Sequence, residues 1–356
     1  VYRPDFDAIS RETSRRFLTY FLVTAGLLSA AVYGFNRAVD PHSIHGTALL
    51  PPLTSSHASR KEFLLRKYNR PIDHLTLGSS RSMTIEPDAV ETVTGLSGFN
   101  ASVGSGIPSD FLAWWRLVTS LRETPPKLLL LGLDLDAFNP GSREPEVHVQ
   151  GTPSLAAQVR AEDRLNLNFL DAQDLGWQRF EDSARSVFLH FHGYPEESEE
   201  FAHDGVVEFR RMIEEKKNDP QSLNRGIQRT LSQAQGRFEG FNSVSKRELS
   251  SLQTLLEEAT SEGARVIAFL PPIQPVYREL LESTTTARPM REALLAALRT
   301  TLSGRGVEFH DLTQASSVPI EASEFYDGVH FPKTESRKLV KRLLVPQKNG
   351  RANAIQ

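Results

Sequence analysis

KLLLLGLDL, residues 127–135, decides how the rest of this chain is read. Four consecutive leucines followed by a glycine are too short for a self-standing helix and too uniformly apolar for a strand with one wet face. They suit a strand buried on both faces, as in a parallel sheet. Three further stretches repeat the pattern of an apolar run that ends at a turn: HLTLGSS (74–80), RVIAFLPP (265–272) and VEFHDL (307–312). Between them lie helical patterns. SDFLAWWRLVTSLRE (109–123) opens on a Ser cap, SKRELSSLQTLLEEATSEG (245–263) ends on a Gly stop, and RPMREALLAALRTTLSGRG (288–306) is the third. Strands alternating with helices predict an α/β fold, a three-layer sandwich with a mainly parallel sheet whose site forms at the C-terminal strand ends.

Outward from this alternation the chain changes character twice. FLTYFLVTAGLLSAAVYGF (17–35) carries no charge and is long enough to cross a hydrocarbon core. Arg3, Arg11, Arg15 and Arg16 precede it and only Arg37 follows closely, so the positive-inside rule puts residues 1–16 in the cytoplasm and everything after residue 40 outside. The expected location is the inner membrane, with the main domain periplasmic or extracellular. A cleaved signal peptide ending near Ser29-Ala30-Ala31 and a buried core helix are the competing readings. Residues 36–70 read as a tether that includes Pro51 and Pro52, 71–345 as the sheet domain, and 346–356 as a tail. Residues 140–245, charged, Gln-rich and strand-poor, read as a helical insertion or lid hinged near Pro140 and Gly141.

Composition narrows the function classes. Lys+Arg 41 against Asp+Glu 44 gives a net charge of -3, which supplies no positive field for nucleic acid. Without cysteine there is no disulfide, thiolate metal site or Cys nucleophile. His42 with His45, and His190 with His192, lack a third ligand at metal spacing and read as solvated, so no metal or cofactor is expected. Trp114 and Trp115 are expected in the core.

Chemistry concentrates in two loops. GSSRS (78–82) places a serine just after a buried strand, where backbone amides can face a developing oxyanion. FYDGVHFPK (325–333) sets Asp327 and His330 three apart, the base and orienting acid that a serine needs. In order, LGSS, FNASVGSG (99–106), LLLLGLDLD (128–136) and DGVH (327–330) resemble the four blocks of the SGNH/GDSL hydrolases, over roughly residues 74–136 and 265–332. The resemblance implies a nucleophile at Ser80, with Ser79 the alternative, a base at His330 and its acid at Asp327. It also implies an oxyanion hole from the Ser80 N–H and a glycine N–H of Gly104 or Gly106, the family's usual spacing falling on Ser105. In the third block the family places an Asn whose amide is the last arm, and here the residue is Asp134. An ionised carboxylate only accepts hydrogen bonds. Asp134 is therefore protonated, turned elsewhere, or a mark of a site without turnover. The block's Pro is also displaced by one, with Phe331 between His330 and Pro332.

Membrane-anchored members of the family commonly add or remove acetyl groups on cell-envelope or exported polysaccharides. The resemblance thus implies a serine esterase or O-acyltransferase with a polysaccharide and an acyl donor as substrates and the bilayer as partner. An accessory subunit with a degenerate site, held among membrane protein partners, is the alternative, and a carbohydrate-binding module is a third reading.

Overall fold

The short apolar runs form strands because helices cover both their faces. The chain, described by a computed structural model over residues 6–41, 49–50, 56–140, 152, 154–155, 158, 175–193, 200–238, 241, 243–283, 287–314 and 317–345, falls into two units. His42, His45, Pro51, Pro52, Gly141 and the tail 346–356 lie outside the described residues.

The larger unit contains α2 (His57–Lys67), β1 (His74–Leu77), α3 (Pro87–Thr94), β2 (Gly98–Asn100), α4 (Pro108–Leu121) and β3 (Leu128–Gly132). Helices α6 (Arg210–Asn218) and α7 (Ser222–Phe238) come next within this unit. The unit continues with α8 (Lys246–Ser261), β6 (Arg265–Leu270), α9 (Pro275–Glu282), α10 (Ala287–Leu302), β7 (Glu308–Asp311) and α11 (Lys333–Leu344). A two-stranded antiparallel hairpin, β4 (Glu200–Phe201) and β5 (Val207–Glu208), precedes α6.

The main sheet has the order β2-β1-β3-β6-β7 and every pairing is parallel. Leu75, Leu77, Leu129, Leu131, Val266 and Ala268 point to a core shared with α4, α8 and α10. Their neighbours Leu128, Leu130, Ile267 and Phe269 point to the opposite core, with α3 and α11. The period-two alternation of a strand therefore fills both sides with apolar residues, which is why the runs look uninterrupted. Strand order reverses between β1 and β3, and the crevice beyond the C-terminal ends of such strands is the usual ligand position in doubly wound sheets.

Four strands coincide with the apolar runs. β2 gave no such signal because it is only Gly98-Phe99-Asn100, three residues held by pairing to β1. The 109–123 helix starts at Pro108, not at a Ser cap. Ile107 occupies the cap position, and the Asp110 carboxylate accepts its N–H at 3.0 Å. Ser109 instead binds Glu248 through its N–H (2.9 Å) and hydroxyl (3.3 Å). Residues 57–67, within the stretch read as a tether, form α2. A Ser56/Ser59 capping box starts it, and Leu65 and Ala58 bury against the core. The Pro and Ser content of its flank hid that apolar face. Trp114 and Trp115 lie in the core.

The smaller unit contains α1 (Phe6–Val39) and α5 (Trp177–His192). Within α1, Thr13–Val39 is long and apolar enough to cross a membrane, and its most apolar window is not buried. α5 packs on α1, with Phe35 and Phe180 rings 5.8 Å apart and Arg179 paired to Asp40 at 3.3 Å, both side chains buried. The region read as an insertion is thus divided: 175–193 belongs with α1, and the hairpin, α6 and α7 belong with the sheet.

At the base of β1, His74 is buried and its Nδ1–H donates to the Leu96 carbonyl at 3.0 Å, while Nε2 has no partner among the described residues. Burial, only partly offset by that bond, lowers its pKa to about 4. Because the folded pKa lies below the unfolded value of about 6.5, the stabilisation is complete above pH 6.5 and is lost as pH falls toward 4. Chemical denaturation of wild type should show a loss of roughly 3 kcal/mol across that window. His74→Gln should flatten the dependence, and an unchanged slope would exclude His74 as its source.

Candidate active site

Ser80 is positioned by the way two strand ends close. β1 stops at Leu77, and Ser80–Ser82 form a 3₁₀ turn in which the Ser79 hydroxyl accepts the Arg81 N–H at 3.3 Å. The turn sits so near β1 and β3 that a Cβ on Gly132 would meet Ser82 Oγ at 2.1 Å, and one on Gly78 would meet it at 2.6 Å. At Gly78 the Ser82 Cβ would also lie within 2.8 Å, so that position requires the absence of a side chain, whereas at Gly132 the hydroxyl would have to turn away. The buried Asn100 ties the turn to β2: its amide donates to the Ser82 and Ile85 carbonyls at 2.8 and 2.9 Å, and its carbonyl accepts from Ser102 N–H and Lys61 Nζ.

The loop after β7 brings its residues to the same edge. The two oxygens of Asp327 divide their work. Oδ1 accepts the Val329 and His330 N–H groups, each at 2.8 Å, and Oδ2 faces His330 Nδ1 at 2.7 Å. His330 Nε2 lies 2.8 Å from Ser80 Oγ, closing a gap of 250 positions in sequence. With a carboxylate at Nδ1 the proton belongs there, which leaves Nε2 as acceptor for the serine hydroxyl. Burial pushes the Asp327 carboxyl up, but His330 and the two backbone N–H groups outweigh it, so its pKa lies below the ordinary value. Phe209, just beyond β5, sets its ring edge-on to the imidazole at 5.1 Å.

α7 holds this loop from the other side. Thr230 Oγ1 accepts the Gly328 N–H at 3.3 Å, and Gly226 lets the helix approach so closely that a Cβ there would lie 2.7 Å from the Tyr326 carbonyl oxygen. Ser80, His330 and Asp327 are therefore brought together by three elements. The arrangement can move the Ser80 proton to His330 while Asp327 offsets the imidazolium charge.

The expected oxyanion arms are arranged differently. The Ser80 N–H has no acceptor among the described residues. The Gly104 N–H donates to His57 Nδ1 at 2.9 Å and the Gly106 N–H to the Val103 carbonyl at 3.0 Å, so neither is a spare donor in this geometry. Ser105, with φ 58, and Gly106 do line the pocket in front of Ser80. Asp134, buried, lies 3.5 Å from the Arg81 guanidinium, so its charge faces a cation. Burial works against the charge on Arg81, yet Asp134, then Asp136, more than offset it, and the guanidinium stays protonated.

The pocket encloses about 960 Å³ including its open mouth, and Leu133, Leu270, Ile273, Leu281 and Val329 line it together with Ser80, Arg81 and His330. A second groove of about 720 Å³ shares Thr230, Gln233, Asp327 and His330 with it and runs past Arg225 and Arg229 of α7. His330, its side chain 15% exposed, thus borders both spaces. No group of three His, Asp or Glu side chains suited to a metal ion occurs among the described residues, and His192 of α5 stacks on Phe188 with ring centres 4.1 Å apart. Arg81, Phe209, Gly226 and Thr230 were not singled out by sequence reasoning. Only Arg81 had a usable signal, as a cation beside the candidate nucleophile in a chain with an acid at the third block. No family model matches this chain, and neither does any of the curated proteins.

An alanine at Gly226 weighs two opposing effects. Helix propensity favours alanine by about 1 kcal/mol, whereas overpacking against backbone costs about 1–3 kcal/mol. The clash involves a carbonyl oxygen that cannot swing away, so Gly226→Ala should lower the melting temperature and displace the His330 side-chain NMR signals. A rise in melting temperature with unmoved signals would show that the loop yields freely.

Proposed function

We propose that the larger unit is an SGNH-like, three-layer α/β domain and that Ser80, His330 and Asp327 carry out acyl transfer or ester hydrolysis. The observation that carries this reading is the continuous chain from Ser80 Oγ through His330 to Asp327, at 2.8 and 2.7 Å. In the proposed reaction Ser80 Oγ attacks the ester carbonyl and its proton passes to His330 Nε2. The collapsing intermediate expels the alcohol, which takes that proton, and leaves an acyl-Ser80. Water or a sugar hydroxyl then gives its proton to His330 and attacks the acyl carbon, and as the acyl–Ser80 bond breaks Ser80 Oγ takes that proton back from His330. The Ser80 N–H is the donor available to the oxyanion. The two adjoining spaces that His330 borders suit a reaction with a separate acyl donor and acceptor, and the polar groove along α7 suits a polyhydroxylated acceptor such as a cell-envelope or exported polysaccharide.

The long apolar α1 supports an inner-membrane anchor, and the arginines before it favour a cytoplasmic N-terminus with the catalytic unit periplasmic or extracellular. A second reading, an accessory subunit of a larger membrane complex with a degenerate site, is favoured by one specific observation. Asp134 stands where an amide donor is expected, and both candidate glycine N–H groups are engaged.

The detergent-solubilised full chain should be labelled by a fluorophosphonate serine probe, with Ser80→Ala abolishing labelling and His330→Ala slowing it by about 10²–10⁴-fold. An intact protein that resists labelling favours the accessory reading. Asp134→Asn should speed labelling by about 10–10²-fold if its carboxylate faces the developing oxyanion, since one such donor is worth ~10²–10³ in rate. Slower labelling would mean that the Arg81–Asp134 pair holds the site together instead.

A further inference from the structure

Helix α5 buries three polar side chains and exposes an aromatic stripe edged by the exposed Glu181 and Arg185. Arg179, Ser183 and Ser186, at i, i+4 and i+7, are buried, and Arg179 reaches Asp40 at the C-terminal end of α1. Trp177, Phe188 and Phe191, at i, i+11 and i+14, lie on another stripe and are 71%, 57% and 76% exposed. A water-soluble surface would reverse these faces. Three aromatic rings on one stripe of a helix about 24 Å long are a large exposed apolar strip.

What surrounds α5 follows from what it is packed against. α1 exposes Phe17, Phe21, Leu27 and Leu28, the surface of a helix in lipid. Asp40 follows the last residue of α1, so the buried Arg179–Asp40 pair marks the level at which that span ends. Trp177 is two residues from Arg179, and its indole N–H donates to Glu181 at 2.8 Å while its ring is exposed. An amphipathic ring at the border of hydrocarbon and water is the placement that Trp favours in membrane proteins.

We propose that α5 is an interfacial membrane helix: its Trp177–Phe188–Phe191 stripe lies in the lipid of the leaflet where α1 emerges, while its polar face grips α1. This rests on α1 crossing the bilayer. The protein then holds the membrane with two helices that are about 140 residues apart in sequence, and lipid, not water, completes the smaller unit. No catalytic role is needed for it.

The other two tryptophans, Trp114 and Trp115, are buried in the sheet unit at 1% and 0% exposure, which makes Trp177 readable by fluorescence. The full chain is reconstituted in nanodiscs of phosphatidylcholine brominated on its acyl chains, with unbrominated lipid as reference. Bromine should quench wild-type emission at least twofold more than it quenches Trp177→Phe. Leu22→Trp in the Trp177→Phe background reports α1 separately. Quenching of that α1 reporter without any Trp177-dependent quenching would overturn the proposal while leaving the anchor in place, and would assign the aromatic stripe to a protein partner. Absence of quenching at both positions would overturn the anchor and the proposal together, without touching the reading of Ser80.

Discussion

The contact on which the candidate site depends is the approach of Ser82 to the ends of β1 and β3, where Gly78 and Gly132 leave no side chain in its way. Two parallel strands end side by side at the point where strand order reverses, and the chain leaving β1 must turn at once within the space between them. A Cβ at Gly78 would come within 2.8 Å of Ser82 Cβ and push the 3₁₀ turn outward. Ser80 would move with it, away from an imidazole delivered from the opposite end of the chain. A hydrogen bond of 2.8 Å leaves little room for such displacement.

The second requirement is charge balance in a half-enclosed space. Asp134, Asp136 and Asp327 all line the pocket and bear on Arg81, whose guanidinium faces Asp134. Asp327 manages its burial with two backbone N–H groups supplied by its own loop, so its orientation does not rely on a distant side chain. Asp134 is faced by the Arg81 guanidinium. A carboxylate at this place is therefore compatible with folding because its neighbour neutralises it, and what it does to an oxyanion depends on how completely that pairing persists.

The two units distribute their polar and apolar side chains differently. The sheet unit hides its apolar strands between layers of helices and meets water through charged helix faces. The smaller unit does the opposite, keeping Asn36, Asp40, Arg179 and Ser183 inside and aromatic residues outside. One rule, that polar groups seek partners and apolar groups avoid water, gives both results once the surroundings differ.

The sequence by itself determined the alternation of strands and helices, the apolar span of α1, and the two loops that hold Ser80, Asp327 and His330, because each is a local pattern whose meaning is fixed by periodicity or turn chemistry. β2 and α2 were illegible for the same reason: Gly98-Phe99-Asn100 has no period of its own, and the apolar face of 57–67 sits among polar and proline residues. Only the tertiary structure decided that Arg81 faces Asp134, that the N–H groups of Gly104 and Gly106 are already engaged, and that Gly226 and Thr230 hold the loop that carries Asp327 and His330. It also decided that 175–193 joins α1. These are contacts between residues far apart in sequence, and no local rule of spacing or propensity encodes which distant side chain will fill a given space.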